Sequence, residues 1–292
     1  MTYGFIGTGN MGGALARALV RTVSSSNVYL NNRTPAKAEA LAAELGARAD
    51  TAAHIAAACD YIFLGVKPNL IAGVLAQLAP TLAQRTDKPV LVSMAAGVTI
   101  AALEQAAPGC PILRIMPNTA CAVGAGLTLY DANALLTNPQ LDAFLADMAA
   151  SGRLEALPEH LIDAGSAVAG CGGAFACLFM EGLADGAVTC GLPRDKANTF
   201  AAQMLPGAAR LALESRKGSG YVAQLWAMRS AYPAQKLTDA ARRFDRNWCR
   251  MAVTEAAKAD LAMKSVSGAD GEELLIGLLL KLANTKPKTG IA

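Results

Sequence analysis

Histidine, aromatic residues and charge are all scarce in this 292-residue chain. Only two histidines occur, His54 and His160, which leaves little room for a histidine-rich metal site or a Ser-His-Asp triad. We therefore expect both to be surface or helix residues. Charged residues make up 17% of the chain and hydrophobic residues 53%, which excludes a disordered, collagen-like or solvated coiled-coil protein. A formal charge of +3 is too small to indicate nucleic-acid or membrane binding, and we expect neither partner.

Metal knuckles, redox pairs and membrane segments are also missing from the sequence. The seven cysteines are odd in number, scattered, and never spaced as metal ligands or as a redox pair. The opening residues, MTYGFIGTGN, lack the basic and apolar regions of a secretory signal, and no run reaches about 18 uninterrupted apolar residues. These absences predict a metal-free protein of the cytoplasm.

The distribution of apolar residues predicts two domains. Short apolar runs predict strands that are buried on both faces, with helical patterns between them. These runs are residues 3–6, 28–30, 61–66, 89–94 and 112–115. Such alternation predicts an α/β fold with a doubly wound parallel sheet, the Rossmann architecture. From about Leu161 the chain becomes alanine-rich helix, so we place an α/β domain at residues 1–160 and an all-α domain at residues 161–292.

A glycine-rich loop joins the first predicted strand to the first predicted helix. It consists of Gly7, Thr8, Gly9, Asn10, Met11 and Gly12. A G-x-G-x-x-G string is weak on its own, but between a strand and a helix its glycines permit a tight turn and close backbone approach to a pyrophosphate. The loop therefore predicts a dinucleotide site, and a glycine-rich turn without a ligand is the alternative.

The end of the second predicted strand favours NADP(H). An NAD enzyme usually places a carboxylate there, whereas this chain has Asn32, Arg33 and Thr34. The Arg33 guanidinium can pair with a 2′-phosphate, which leaves NAD(H) as the alternative cofactor. Thr34 is also the predicted cap of the following helix, a role that does not exclude a phosphate contact. Lys67, before Pro68, lies at the predicted carboxyl end of the sheet, where ligands bind, or is a solvated turn lysine.

The residues beyond the loop resemble those of pyrroline-5-carboxylate reductases, which use NAD(P)H in the last step of proline biosynthesis. The Pro-Asn-Thr turn and the helix leading into GLPRD are more specific than the glycine loop. Together the matching segments cover roughly residues 1–217, and AVTEAAKADLAMK at 252–264 again resembles the last helix of the family. They are GFIGTGNMGGALARAL from residue 4, NRT at 32–34, GVKP at 65–68, VSMAAGVTI at 92–100, RIMPNTACAVGAG at 114–126 and LIDAGSAVAGCGGAFACLFMEGLADGAVTCGLPRD at 161–195.

This resemblance implies a Rossmann domain and a helical domain that interlocks with a partner subunit, in a homodimer or a larger homo-oligomer. It implies hydride transfer from the nicotinamide to the imine carbon of pyrroline-5-carboxylate, giving L-proline. The implied cofactor contacts are Thr8, Asn10, Met11, Thr34, Val66, Lys67 with its neighbour Pro68, Ala96 and Asn118. Asn118, Glu159 and Ser166 match positions near the substrate. Asn118 as a turn-stabilising side chain and Glu159 as a helix-terminal carboxylate are the alternatives.

Three stretches depart from the family pattern. Ala169–Phe175 replaces a Ser-Gly-Ser-Gly-Pro-Ala-Tyr helix start, and Pro206 stands within a helical stretch, where it predicts a kink. The family's Val-Thr-Ser-Pro-Gly-Gly-Thr-Thr signature is absent. Residues 216–250 instead carry eight basic and two acidic residues, a net charge of +6. Either divergence or two compensating reading-frame changes would leave such a segment.

The missing signature leaves the catalytic residue open, with Ser166 and Lys236 as candidates. The missing signature also leaves two alternative functions open. These are a cofactor-binding homologue with reduced activity, and a reductase of a different cyclic imine. A 3-hydroxyacid dehydrogenase is a further alternative, because that family begins with a similar glycine string. It places a catalytic lysine on the helix after a Gly-Ser-Gly-like turn, however, and here no lysine follows residues 170–173 before Lys196.

Overall fold

A computed structural model describes residues 1–214 of the chain. These residues belong to two compact units, the first covering Met1–Gly170 and the second beginning at Cys171. Whether the functional domains divide after residue 160, as the composition suggests, stays a prediction.

The first unit is built on an eight-stranded sheet. Its strands are β1 (Tyr3–Ile6), β2 (Val28–Asn31), β3 (Arg48–Ala49), β4 (Tyr61–Leu64), β5 (Val90–Ser93), β6 (Ile112–Met116), β7 (Gly126–Ala132) and β8 (Gly152–Ala156). The strand order is β3-β2-β1-β4-β5-β6-β7-β8, and every neighbouring pair is parallel except β6 and β7. Strand order reverses direction at β1 and β4, which confirms the predicted doubly wound sheet.

Helices alternate with the strands in the first unit and make up most of the described second unit. They are α1 (Asn10–Leu19), α2 (Pro35–Leu45), α3 (Ala52–Ala58), α4 (Ile71–Gln84), α5 (Ile100–Ala106), α6 (Asn138–Asp147), α7 (Glu159–Thr189) and α8 (Arg194–Glu214). Helix α2 begins after Thr34 and ends at Gly46, whose φ of 67° is left-handed. This agrees with the capping pattern of the sequence, because glycine adopts that conformation without a steric penalty.

The sheet separates two hydrophobic cores, because successive strand residues point to opposite faces. Phe5 and Phe63 pack in one core and stack with ring centroids 4.3 Å apart. Ile6, Ile62 and Leu64 pack in the other. All four residues of β1, β4 and β5 are buried, as the apolar runs predict. Burying each large side chain contributes about 1.5–3 kcal/mol, so both faces stabilise the sheet that carries the site.

One antiparallel pair interrupts the parallel sheet. Between β6 and β7 the chain has residues 117–125, which include only the short 3₁₀ helix Thr119–Val123. A parallel connection needs a crossover of a dozen or more residues, so this short link reverses the chain. Strands β3, β7 and β8 were not among the predicted runs. The two residues of β3 are exposed, and β8 is half-buried or exposed throughout, so neither has an apolar signature.

The described part of the second unit is helical, as predicted. Its small core consists of Ala184, Ala197 and Ala201, with partly buried neighbours such as Met180. Helix α8 continues through Pro206 to Glu214, and the predicted kink there stays a prediction. By length and composition alone α7 could also cross a membrane, and it is the only such helix within residues 1–214.

Candidate active site

Three glycines bring the loops after β1 and β4 into contact where the strand order reverses. Gly7 has a φ of 102°, and a Cβ built on it would lie 2.5 Å from the carbonyl oxygen of Gly65. A Cβ on Gly12 or on Gly65 would lie 2.2 Å or 2.3 Å from the carbonyl oxygen of Gly7. Side chains at these positions would overlap backbone atoms, so the close packing of the loop itself requires these glycines.

Gly9 differs from its neighbours because no contact within residues 1–214 requires a glycine there. Its φ of −73° suits any residue, and a Cβ would meet no atom within 4 Å. It stands at the N-terminus of α1, followed by exposed Asn10 and half-buried Met11, and makes no side-chain cap bond. A helix start offers free N–H groups to an anion. The open space over Gly9 therefore fits a pyrophosphate at close range.

Asn32 joins the glycine loop to the end of β2. Its Nδ2 donates to Thr8 Oγ1 at 3.1 Å, and its Oδ1 accepts from the Thr34 amide at 3.0 Å. Thr34 occupies the cap position of α2 as predicted, but its side chain makes no cap hydrogen bond. Arg33 is exposed, and no ion pair or hydrogen bond engages its side chain among residues 1–214. Asn32 thus acts as a brace, while Arg33 and Thr34 are available to a ligand.

A cavity of about 390 Å³ opens beside this brace, within the size range of small-molecule sites. Helices α1 and α2 form its walls. Arg17 and Glu44 both line it and form a bidentate pair, with both N–O distances 2.7 Å. This pairing lowers the pKa of Glu44 and raises that of Arg17. The lining residues are Thr8, Gly9, Asn10, Gly13, Arg17, Asn32, Lys37, Ala40, Leu41 and Glu44.

The loops after β4 and β5 carry the other residues that the sequence predicts to contact the cofactor. A Cβ on Gly7 would lie 3.0 Å from Val66 Cγ1, which places Val66 directly beside the glycine loop. Exposed Lys67 precedes the 3₁₀ helix Pro68–Leu70. Ala96 is buried in a cluster that includes Met116 and Ile162. This cluster connects the carboxyl ends of β5 and β6 with the first turns of α7.

Asn118 ties three elements together through its side-chain amide. Its Nδ2 donates to the Ala169 carbonyl in α7 at 2.9 Å, and its Oδ1 accepts from the Leu127 amide in β7 at 3.2 Å. The structure thus gives Asn118 the turn-stabilising role that the sequence left as an alternative. Its predicted place beside the nicotinamide stays a prediction.

Glu159 belongs to an ion cluster that the sequence did not reveal. Its Oε1 accepts from the Ile100 amide at 2.7 Å and from Arg114 Nη1 at 3.0 Å. Arg114 also pairs with Asp163 at 3.0 Å. The Arg114 side chain is only 3% exposed, and its buried Nε has no hydrogen-bond partner among residues 1–214. The one available signal was a lone charge inside the apolar strand ILRIM, but its partners lie 45 and 49 residues away.

Ser166 lies one helical turn beyond Ile162 and is 5% exposed. The structure thus places Asn118, Glu159 and Ser166 around the start of α7, within the first unit. Lys236 lies outside the described residues. Both histidines lie exposed in helices, His54 in α3 and His160 in α7, as predicted. The His54 ring nitrogen Nδ1 lies 2.6 Å from a carboxylate oxygen of Asp50. Within residues 1–214, no group of three or more potential metal ligands occurs.

Comparison with known proteins relates both halves of the chain to established families. Residues 2–97 match the family described as NADP oxidoreductase, coenzyme F420-dependent. Residues 159–265 match the family described as pyrroline-5-carboxylate reductase dimerisation. The second match includes α7 and continues across the basic segment in which the signature is absent.

Two relatives that match over most of their length are named pyrroline-5-carboxylate reductases. The pyrroline-5-carboxylate reductase of Escherichia coli (strain K12) is 34% identical over 257 residues, which cover 87% of this chain and 93% of that protein. Its counterpart in Mycobacterium tuberculosis (strain H37Rv) is 34% identical over 272 residues, covering 87% and 92%.

Solved structures agree with this relationship. A pyrroline-5-carboxylate reductase from Coxiella burnetii has a TM-score of 0.76 at 26% identity, covering 94% of this chain and 98% of that one. The Plasmodium falciparum pyrroline carboxylate reductase, solved with NADP bound, has the same TM-score at 24% identity, covering 91% and 98%, and supports the fold.

Proposed function

Because this chain belongs to the pyrroline-5-carboxylate reductase family, we propose that it reduces 1-pyrroline-5-carboxylate to L-proline with NADPH, as an enzyme of proline biosynthesis. The observation that carries the proposal is the 34% identity to the Escherichia coli enzyme over 93% of that protein. The loop geometry is compatible with it, because the open space over Gly9 lies at the N-terminus of α1, where free N–H groups can receive a pyrophosphate.

On the cofactor side, we assign the glycine loop to the pyrophosphate and the end of β2 to the 2′-phosphate. The free N–H groups at the start of α1 face the position that the pyrophosphate would take. Arg33 is the cation that favours NADPH over NADH, because an unpaired guanidinium forms charge-assisted hydrogen bonds with a phosphate. Val66, Lys67, Pro68 and Ala96 line the path toward the strands' carboxyl ends, and Asn118 marks its nicotinamide end.

On the substrate side, one hydride and one proton add across the C=N bond. Reduced nicotinamide, when bound, would supply the hydride for the imine carbon. An imine accepts hydride readily only when its nitrogen is protonated. Ser166 offers a hydroxyl donor to the substrate carboxylate. Asn118 and Glu159 hold the surrounding walls through their contacts with Ala169, Ile100 and Arg114, and Ser166 and Lys236 remain the catalytic candidates.

The working form in this proposal is a homodimer or a larger homo-oligomer in the cytoplasm, without nucleic acid or a membrane as partner. The apolar length of α7 has a direct explanation in a partner subunit, since α7 falls within the region that matches the dimerisation family. Residues 1–160 serve as the dinucleotide-binding domain and residues 161–292 as the dimerisation and substrate domain.

The test is turnover by the purified full-length protein with NADPH and pyrroline-5-carboxylate. We expect loss of reduced-cofactor absorbance and formation of an equal amount of proline. Gly9→Ala should keep the fold and weaken NADPH and NADH alike, because its methyl group fills the space of the pyrophosphate. Gly73→Ala in α4 is the matched control, since a Cβ there also meets nothing within 4 Å. Failure of the wild type to bind either cofactor would contradict the proposal.

The missing signature favours one second candidate, a homologue that binds the cofactor but has reduced activity or accepts a different cyclic imine. In the family, the Ser-Pro-Gly-Gly-Thr-Thr turn offers N–H groups and hydroxyls to the substrate, whereas this chain has Ala231–Lys236 in the nearest register. NADPH binding without turnover of pyrroline-5-carboxylate, or turnover of another ring size, would favour it.

A further inference from the structure

The cavity beside the glycine loop contains one positive charge that no acidic residue balances. Two cations line it, Arg17 and Lys37. Arg17 is held by Glu44 in the bidentate pair, whereas Lys37 is exposed and has no ion pair or side-chain hydrogen bond to any residue of 1–214. Arg33 is not among the residues that line this cavity. The net positive charge facing the space next to Asn32 therefore comes from Lys37.

The position of Lys37 in α2 is locally unfavourable. Thr34 caps the helix, so Lys37 is the third residue of its first turn, where its amide donates to the Thr34 carbonyl at 3.0 Å. The positive end of the helix dipole lies in this turn, which favours acidic residues and disfavours cations. The first turn of α2 contains no acidic residue. Natural sequences break such local rules mainly at functional sites, and a bound anion would offset the unfavourable position of the lysine.

We propose that Lys37 is a second specificity residue for NADPH, which contacts the 2′-phosphate from the cavity side while Arg33 contacts it from the opposite side of Asn32. This inference rests on the proposed cofactor function and deepens it. A phosphate monoester carries a charge of about −1.5 to −2 at pH 7, so Arg33 alone leaves part of it unbalanced. A second cation completes the neutralisation, and Asn32 keeps the two cations on a fixed frame through its bonds to Thr8 and Thr34.

The test is equilibrium binding of NADPH and NADH to the full-length protein, measured by quenching of its tryptophan fluorescence without substrate. Lys37→Ala should weaken NADPH about 10- to 100-fold, the range of one charge-assisted hydrogen bond, and leave NADH within about twofold. Lys37→Arg keeps the charge and should retain most of the preference. Glu39→Gln is the matched control, because it also changes the charge of α2 by one unit at an exposed residue that does not line the cavity.

Thermal unfolding separates this role from a structural one. Without cofactor, Lys37→Ala should unfold at the wild-type temperature or slightly above it, because it removes a cation from the helix start. The rise in unfolding temperature with NADPH should shrink, and that with NADH should not. Equal loss of both cofactors, or an unchanged NADPH affinity, would overturn the inference while the proposed function stands. A wild type that binds neither cofactor would contradict both.

Discussion

The two described units bury their apolar residues to very different extents. In the first, Phe5 and Phe63 are fully buried and stack on each other in one of two sheet-centred cores. In the second, Phe179 is 54% exposed and Phe200 is 58% exposed, and the core formed within residues 171–214 consists of three alanines. Residues 1–170 and 171–214 are similarly apolar in sequence, so the apolar fraction alone does not predict which unit buries its side chains. The first unit completes its core within one chain, and the second presents the surface that a partner subunit would cover.

The proposed cofactor residues and the proposed substrate residues are also held in place differently. The glycine loop, Asn32 and the Arg17–Glu44 pair all lie in the sheet unit and are braced by its own hydrogen bonds. The start of α7 is braced by Asn118 and Arg114, but the helix then continues into the exposed second unit. We therefore expect cofactor binding to be independent of association, and turnover to depend on the helical half of the chain.

Replacing one phenylalanine by alanine in each unit tests this difference in burial most directly. Phe63→Ala should lower the free energy of unfolding by about 3–5 kcal/mol, the usual cost of a phenylalanine-sized deletion in a packed core. The loss should be the same at every protein concentration. Chemical denaturation followed by circular dichroism measures it.

Phe179→Ala is the matched substitution in the helical unit. It should leave the unfolding of the isolated subunit nearly unchanged and weaken self-association, because burying each phenylalanine at an interface contributes about 1.5–3 kcal/mol. Sedimentation at micromolar and lower concentrations measures the change. A wild type that stays monomeric at micromolar concentration, or a Phe179→Ala variant that unfolds as readily as Phe63→Ala, would contradict the comparison.

Turnover is the next largest expected effect, and it concerns residues 218–250. NADPH should bind with family-like affinity, while turnover of pyrroline-5-carboxylate should fall about 10²- to 10³-fold below that of the relatives, the usual loss when a transition-state donor is removed. Lys236 partly compensates if it pairs with the substrate carboxylate, so Lys236→Ala should lower the rate further. A family-level rate that survives Lys236→Ala would show that this segment is not needed. Translating the coding DNA in its other two frames distinguishes divergence from a frame change.

Arg33 offers a smaller effect that is confined to the sheet unit. Arg33→Asp should weaken NADPH by about 1–3 kcal/mol and NADH much less, because it removes a cation and adds a like charge beside the 2′-phosphate. Association and unfolding should not change, since Arg33 is exposed and lacks side-chain partners within residues 1–214. Titration of each cofactor at two protein concentrations checks both expectations. Equal loss for the two cofactors would remove Arg33 from the phosphate site.

The sequence predicts the parts of the fold whose signals are local. The strands β1, β4 and β5 are short apolar runs, and α2 has a cap, a first-turn proline and a terminal glycine. Strand β3 has two exposed residues and exists only because it pairs with β2, so no pattern within it identifies a strand. The antiparallel β7 follows from the length of a loop that could not be measured before β7 itself was located.

The candidate site divides in the same way. The glycine loop can be read from the sequence because six consecutive residues carry it. Arg114 could not be assigned, because its charge is balanced by Glu159 and Asp163 on a helix that the sheet brings close. Lys37 was missed for a related reason, since only the cavity shows that Arg17 is already neutralised and Lys37 is not.

Cysteine labelling has the smallest expected effect, because it leaves the fold intact. It compares the exposure of the two units residue by residue. Within residues 1–214, the sheet unit contains three buried thiols, Cys59, Cys110 and Cys121. Burial raises the pKa of all three, that of Cys59 to about 12, so they stay protonated and unreactive at pH 7. In the helical unit Cys171 is buried, whereas Cys177 and Cys190 are exposed. Mass spectrometry after brief alkylation of the native protein should find these two labelled and the first three unlabelled.

Protection of Cys177 at high protein concentration, with Cys190 still labelled, would locate the partner subunit along α7. Rapid labelling of Cys59 in the native protein would show that the sheet unit opens, and the contrast between the two units would then fail.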